Sequence, residues 1–253
     1  MKKTPFLVST SIVALLVASV LSGPAHATAK DSSMSTEEAV ERLVELNPGT
    51  TEEEMSAGLR EYAEENGQSY EQVVDDALQA AEEEEAQWQK DKAEYEFDRE
   101  TRAAKAVGKL PNVRIGGDIF YHPSSSSGVT FGHVGVYSTR FHIVEAPGAS
   151  RKSHRKTANK MSVYRGSKLM YVTVKEKTRI RAGWYAQDHL VNKPYNYNFA
   201  INKRPYSKRM NCSQLVWAAY KNSAKVDLDG NGGPGVYPKD IVKSAKTKTW
   251  RTY

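Results

Sequence analysis

At about Val107 the chain changes periodicity and charge together, so a fold of one kind of element cannot hold both parts. From Asp31 to Ala106 there are 23 acidic and 7 basic residues, a balance of −16. From Val107 to Tyr253 there are 26 basic and 7 acidic residues, a balance of +19. The first part has helical signatures. In "STEEAVERLVELNPG" Ser35 stands three residues before Glu38, as in a capping box, and "NPG" stops the helix. "TTEEEMSAGLREYAEENG" repeats the design, with Thr50 or Thr51 as N-cap and Asn66-Gly67 as the stop. A third helix is predicted from Ser69 to about Ala106. Its apolar positions Val73, Val74, Leu78, Ala81, Trp88 and Tyr95 are sparse and interrupted by "EEEE", which fits a solvated helix with one weak stripe better than a coiled coil.

Beyond "VGKLPNVRIGG" the pattern becomes short and β-rich. "GGDIFYHP" reads as a strand after a glycine turn, and "SSSSG" as a loop. "FGHVGVYS" alternates, with His133, Gly135 and Tyr137 on one face. "RFHIVEAPG" alternates again, with Phe141, Ile143 and Glu145 on one face. The short "STR" between the two runs predicts an antiparallel hairpin. "KLMYVTVKE" is a further strand, "RIRAGWYAQDHLVN" a helix, and "KPYNYNFAINKRPYSKRM" a loop before a second helix.

The first residues look like an export leader. Lys2 and Lys3 precede the apolar run "FLVSTSIVALLVASVL", and "AHA" or "ATA" offers cleavage after Ala27 or Ala29. An uncleaved anchor is the alternative. The expected division is a signal peptide at 1–29, an acidic helical segment at 30–106 and a basic domain at 107–253. The protein is expected to be secreted, extracellular or associated with the cell wall. One cysteine excludes an intramolecular disulfide, so packing alone must hold the fold.

That cysteine, Cys212, opens the helix "NCSQLVWAAY", with Asn211 as N-cap and Gln214 three residues on as the partner of a variant capping box. First-turn N–H groups and the helix dipole favour an anion there, which suits a nucleophilic thiolate. A buried structural thiol fits the same position. Of the candidate bases His122, His133 and His142, His133 is flanked by glycines in "GHVG", which would leave space for a substrate. His154, in "RKSHRKTANK", reads as part of a solvated loop. Glu145 could face His133 across the hairpin and orient its ring. A satisfied core histidine and an ordinary ion-pair carboxylate are the alternatives for these two.

Taken together, "GGDIFYHP", "GHVGVYS", "HIVEA", "NCSQLVWAAY" and "DLDGNGGPGVYPKDIVKS" resemble the YiiX/YebB-like branch of the permuted NlpC-type cysteine hydrolases, over about residues 113–245. The resemblance implies an α+β fold, a circularly permuted papain-like domain with an antiparallel sheet packed on helices. It implies Cys212 as nucleophile, His133 as base and Glu145 as the third member. Asn211 and Gln214 depart from the family's common "YCSE" residues, which puts the capping and the pocket edge in question. Tyr195 matches a family tyrosine upstream of the cysteine and is a candidate substrate-binding residue, with a core aromatic as the alternative. Asp118 reads as a strand-entry residue that could border the same site.

"DLDGNGGPGVYP" has Asp227, Asp229 and Asn231 at calcium-loop spacing, but Pro238 stands where the loop needs glutamate, so no metal and no cofactor are expected. The expected activity is hydrolysis of amide bonds through a thioester, in peptidoglycan peptides of the cell wall. A lipid acyltransferase or thioesterase of the same fold, or a non-enzymatic binder of anionic wall polymer, are the alternatives. The basic part favours anionic polymers. Its charges are scattered and no nucleic-acid motif accompanies them, so specific nucleic-acid binding is not expected. The acidic segment is expected to dock on the basic domain as a lid or pro-segment, or to act as a spacer.

Overall fold

The structure is a computed structural model that describes residues 34–102, 106–123, 131–148 and 151–253, the side chains of 91–102 excepted. The leader-like residues, the "SSSSG" loop and Tyr95 of the weak stripe lie outside the described side chains. Three helices come first: α1 (Thr36–Leu46), α2 (Glu52–Asn66) and α3 (Tyr70–Arg102). The Ser35/Glu38 box caps α1, and Thr51 rather than Thr50 caps α2 with Glu54. Gly67 ends α2 in the left-handed conformation, and the Gln72 N–H donates to Ser69 Oγ at the start of α3.

The strands and remaining helices follow: β1 (Gly108–Lys109), β2 (Ile119–His122), β3 (His133–Tyr137), β4 (His142–Glu145), β5 (His154–Thr157), β6 (Ser162–Val163), β7 (Lys168–Val172), α4 (Glu176–His189), α5 (Cys212–Ala224), α6 (Pro238–Lys243) and β8 (Thr247–Thr252). Six strands form one antiparallel sheet in the order β5-β4-β3-β2-β7-β8, and β1 pairs with β6 in a small ribbon. This is the α+β architecture expected. Two of its strands correct the reading of the sequence. "RKSHRKTANK" is not wholly a loop, because its centre is the edge strand β5. The C-terminal residues form the opposite edge, β8. Both are polar and largely solvent-facing, so neither shows the apolar alternation by which inner strands are recognised.

All residues of β2 and β3 are buried, because the sheet is covered on both faces. Ile119, Tyr121, Val134, Val136 and Val144 join the main core, with Leu215, Val216 and Ala219 of α5 and Ala182 and Ala186 of α4. Phe120, Tyr137, Ile143 and Leu169 point the other way, into a smaller cluster with Leu110 and Val163 from the ribbon.

Helices α1 and α2 and the first turns of α3 share the main core through Leu43, Met55, Leu59, Val73, Val74, Ala77 and Ala81. They attach in large part to the irregular segment 194–211 that leads into α5, and α3 also approaches Gly233 through Ala80. Asn47, fully buried, donates to Leu43 O (2.8 Å) and accepts the Phe199 N–H (2.9 Å). Tyr197 lies against Gly49, and Ile201 against Gly58. Two ion pairs flank the contact, Arg204–Glu61 (2.7 Å) and Arg209–Glu54 (3.6 Å).

Two outcomes are expected from this packing. Asn47→Ala strands the buried Phe199 N–H and should lower unfolding stability by about 1–3 kcal/mol in urea titration. A chain shortened to begin at Val107 bares Tyr197 and Ile201, which pack on Gly49 and Gly58, and should bind a hydrophobic dye and melt well below the full chain.

Candidate active site

Cys212 is the first residue of α5 and is buried. The Asn211 side chain caps the helix by accepting the Gln214 N–H (2.9 Å). The reciprocal half of the expected capping box is absent. Gln214 instead uses its carboxamide within the preceding segment, donating to Arg204 O (3.1 Å) and accepting from Asn196 Nδ2 (3.0 Å). Gln214 therefore ties the helix start to the incoming chain.

His133 opens β3 at the end of the sheet nearest Cys212. In the β3–β4 ladder Val136 faces Val144 and Tyr137 faces Ile143. Continuing that register puts Gly135 opposite Glu145 and His133 diagonal to it, on the same face. The two side chains meet at 2.7 Å, Nε2 to Oε2. That leaves Nδ1 of the ring for Cys212, whose neighbouring thiol raises the imidazole.

The glycines around His133 serve a purpose other than the one expected. A Cβ on Gly135 would come within 2.4 Å of the Phe120 ring, which packs 5.6 Å from the imidazole, centroid to centroid. Gly132 has φ +79°, and a Cβ there would meet His122 O and the Tyr121 ring at 2.9 Å. The space they leave is filled by protein that fixes the ring, and not by room for a ligand.

Electrostatics separate the two carboxylate–histidine partners. Burial pulls the His133 imidazolium down, but hydrogen bonds with Cys212 and Glu145 outweigh it and push the group up to about 9. Burial raises Glu145, yet hydrogen bonds from His133 and His154 and the charges of His133 and Lys156 hold it far below the ordinary carboxylate range. Tyr195 is also brought to the sulfur. Burial, and then the neighbouring Cys212, drive its ionisation well above the ordinary tyrosine value, so it presents a neutral phenol to the thiol. His122 sits opposite His133 in the β2–β3 ladder and bonds Ser167 Oγ (2.8 Å). Burial and the charge on His133 push it down to about 3, which keeps it neutral.

Other candidates lie elsewhere. His142 is at the far end of β4, bonded to Thr139 Oγ1 (3.2 Å). Asp118 precedes β2 at the end opposite His122, and its buried carboxylate is ion-paired with Arg179, so it does not border Cys212. The side chains of the calcium-like loop are engaged within the protein. Asp227 accepts from Trp217 Nε1 (2.9 Å) and Lys221 (2.6 Å), Asp229 pairs with Lys203, and Asn231 donates to Asp240 (3.0 Å). Among the described residues no group of three or more His, Cys, Asp or Glu side chains could hold a metal ion.

Two side chains in the cluster escaped the sequence reading. His154 and Lys156 of β5 both reach Glu145 Oε1, His154 at 3.4 Å. The alternation of "HRKT" just after the Glu145 strand was the available signal, masked by its polarity.

Residues 123–232, which contain Cys212, His133 and Glu145, match the family described as permuted papain-like amidase enzymes, YaeF/YiiX, C92 family. The chain is 29% identical over 229 residues to the uncharacterized protein YycO of Bacillus subtilis, covering 87% of this chain and 89% of that one. A crystal structure titled as the metalloprotein YiiX of Escherichia coli O157:H7 aligns over 57% of this chain and 98% of its own, at 13% identity and a TM-score of 0.37.

The titrations give a directional test. His133 is raised from 6.5, so its pairing stabilises the fold fully below pH 6.5 and is lost as pH rises through about 9. Glu145 is lowered from 4.5, so its contribution is present above pH 4.5 and is lost as pH falls further. The stability gap between wild type and Glu145→Gln, read from urea midpoints, should be widest between pH 4.5 and 6.5 and narrow towards pH 9.

Proposed function

As the chain carries a permuted papain-like amidase domain of the YaeF/YiiX type, we propose that it cleaves amide bonds through the Cys212 thiolate, outside the cell, in the peptides of cell-wall peptidoglycan. The observation that carries the mechanistic part is the continuous chain from Cys212 through His133 to Glu145.

In this reading the protonated His133 keeps the sulfur ionised, and Glu145 holds the ring and stabilises its charge. The thiolate attacks the amide carbonyl and forms a carbon–sulfur bond. The carbonyl electrons move to oxygen. The Gln214 N–H is already taken by Asn211, so the backbone N–H groups of Cys212 and Ser213 are the first-turn donors for that oxyanion. Collapse breaks the carbon–nitrogen bond, and the amine leaves with the proton from His133. Water, deprotonated by the now neutral His133, then cleaves the thioester to a carboxylate and restores the thiolate–imidazolium pair. The Tyr195 phenol, a neighbour of the sulfur in the resting site, is positioned to wall the substrate's reacting group.

A wall substrate is supported by the leader-like start and by the charge balance. The basic part has 26 basic residues against 7 acidic ones. Of the seven, Asp118, Glu145, Glu176, Asp227 and Asp229 are ion-paired within the protein. That leaves a cationic excess towards solvent, suited to anionic wall polymers.

Iodoacetamide at pH 6 should label Cys212 stoichiometrically in wild type and much more slowly in His133→Ala. His133→Ala should also lower kcat/KM by about 10²–10⁴-fold. Mass spectrometry of isolated wall after incubation should reveal new peptide fragments that Cys212→Ala does not produce. Release of acyl chains in place of peptides would redirect the reading to lipid substrates.

A further inference from the structure

Glu145 faces more cationic partners than a histidine-orienting carboxylate requires. It is 1% exposed, and each of its oxygens has a different duty. Oε2 bonds His133. Oε1 faces the Lys156 ammonium and His154 Nε2. The ladder between β4 and β5 sets this arrangement. His154 is directly opposite Glu145, and Lys156 is opposite Ile143, so the two cationic side chains stand on the carboxylate's face, one directly across from it and one diagonal to it.

The charges explain why a second partner is needed. A Cys212 thiolate, a His133 imidazolium and a Glu145 carboxylate sum to −1 in a buried site. A buried charge without a counter-ion is strongly unfavourable. One cation on Oε1 brings the chain to neutrality, with signs alternating from sulfur to ammonium. Lys156 and His154 are partly open to water, with 27% and 36% of their side chains exposed. Neither touches the sulfur, so both act through Glu145.

We propose that Lys156 and His154 are alternative positioning cations for Glu145: Lys156 holds Oε1 and balances the site's charge throughout, and His154 can do so in its place when it is protonated. This rests on the reading of Cys212 and His133 as a thiolate–imidazolium pair. The titratable groups around the carboxylate are His133 on β3, His122 on β2, His154 and Lys156 on β5, Cys212 on α5 and the Tyr195 phenol. Of these, His122 stays neutral through the physiological range. His154 is raised above its ordinary value, first by its contact with Glu145 and against a smaller opposing burial effect, so it carries a charge in mildly acidic solution.

The test measures the rate of Cys212 alkylation by iodoacetamide in the full chain, each variant compared with wild type at the same pH. Lys156→Met should react about tenfold more slowly than wild type at pH 8, the size of an ordinary coupling between contacting charged groups. At pH 5.5, where His154 carries a charge, it should recover to within about twofold. Lys156→Met combined with His154→Gln should be slow at both pH values. Lys156→Arg should remain near wild type at both. The inference is overturned if Lys156→Met matches wild type at both pH values while His133→Ala is slow. It is overturned equally if Lys156→Arg is as impaired as Lys156→Met, because the charge would then not be the operative property. If His133→Ala itself reacts like wild type, the thiolate–imidazolium reading is what fails.

Discussion

The buried carboxamide of Asn211 joins the three pieces of chain that must converge for Cys212 to have a place. Its oxygen accepts from the Gln214 N–H (2.9 Å) and Asn202 Nδ2 (3.2 Å), with Ser213 Oγ 3.3 Å away. Its amide nitrogen donates to Asn198 O (3.3 Å). Asn202 and Ser213 extend the network to Val236, through Nδ2 to Val236 O (3.0 Å), Oδ1 from the Val236 N–H (2.7 Å) and Ser213 Oγ to Val236 O (2.7 Å). The segment before α5, the start of α5 and the loop before α6 are thus cross-bonded where no water competes. A fully satisfied buried network specifies one arrangement, because any alternative leaves polar groups stranded.

Charge alone would not find the site in this molecule. Asp118 and Arg179 form a second buried ion pair at the other end of the sheet, and the Arg179 guanidinium also stacks over Tyr171 at 5.1 Å. That pair has no nucleophile beside it and locks α4 to the sheet. The Glu145 cluster differs in what its chain of contacts ends on, a thiol at a helix N-terminus. Perturbed titration points to both places, and only the geometry of the neighbours distinguishes a strut from a site.

The opposite charges of the two parts suggest attraction, but the contact between them is made mostly of other forces. The ion pairs of Glu54 and Glu61 with Arg209 and Arg204 are half open to solvent, where such pairs contribute little. The buried apolar residues of α1 and α2 and the hydrogen bond from the Phe199 N–H to Asn47 hold the helices on the segment that carries Tyr195 and leads to Cys212. We therefore read the acidic helices as support for the site's incoming chain. Their net charge governs what the outer surface attracts.

Local pattern determined a good deal of this. Alternation in "GHVGVY" and "HIVEA" gave His133 and Glu145 each a face of its own strand from which they could meet across a hairpin, Ser35, Thr50 or Thr51 and Asn211 marked helix starts, and the order of motifs pointed to a permuted papain-like domain. These are short-range regularities, set by a period of two in strands and by unpaired N–H groups at helix ends. Beyond the β3–β4 hairpin, the tertiary structure alone decided which strands lie side by side. It placed His154 across from Glu145, filled the space beside Gly132 and Gly135 with Phe120 and Tyr121, carried Asp118 away from Cys212, and turned Gln214 from a cap to a tie. Polar edge strands leave no apolar rhythm to read. Register across a sheet, moreover, joins residues through hydrogen bonds whose partners are far apart in sequence, so no window of the chain contains it.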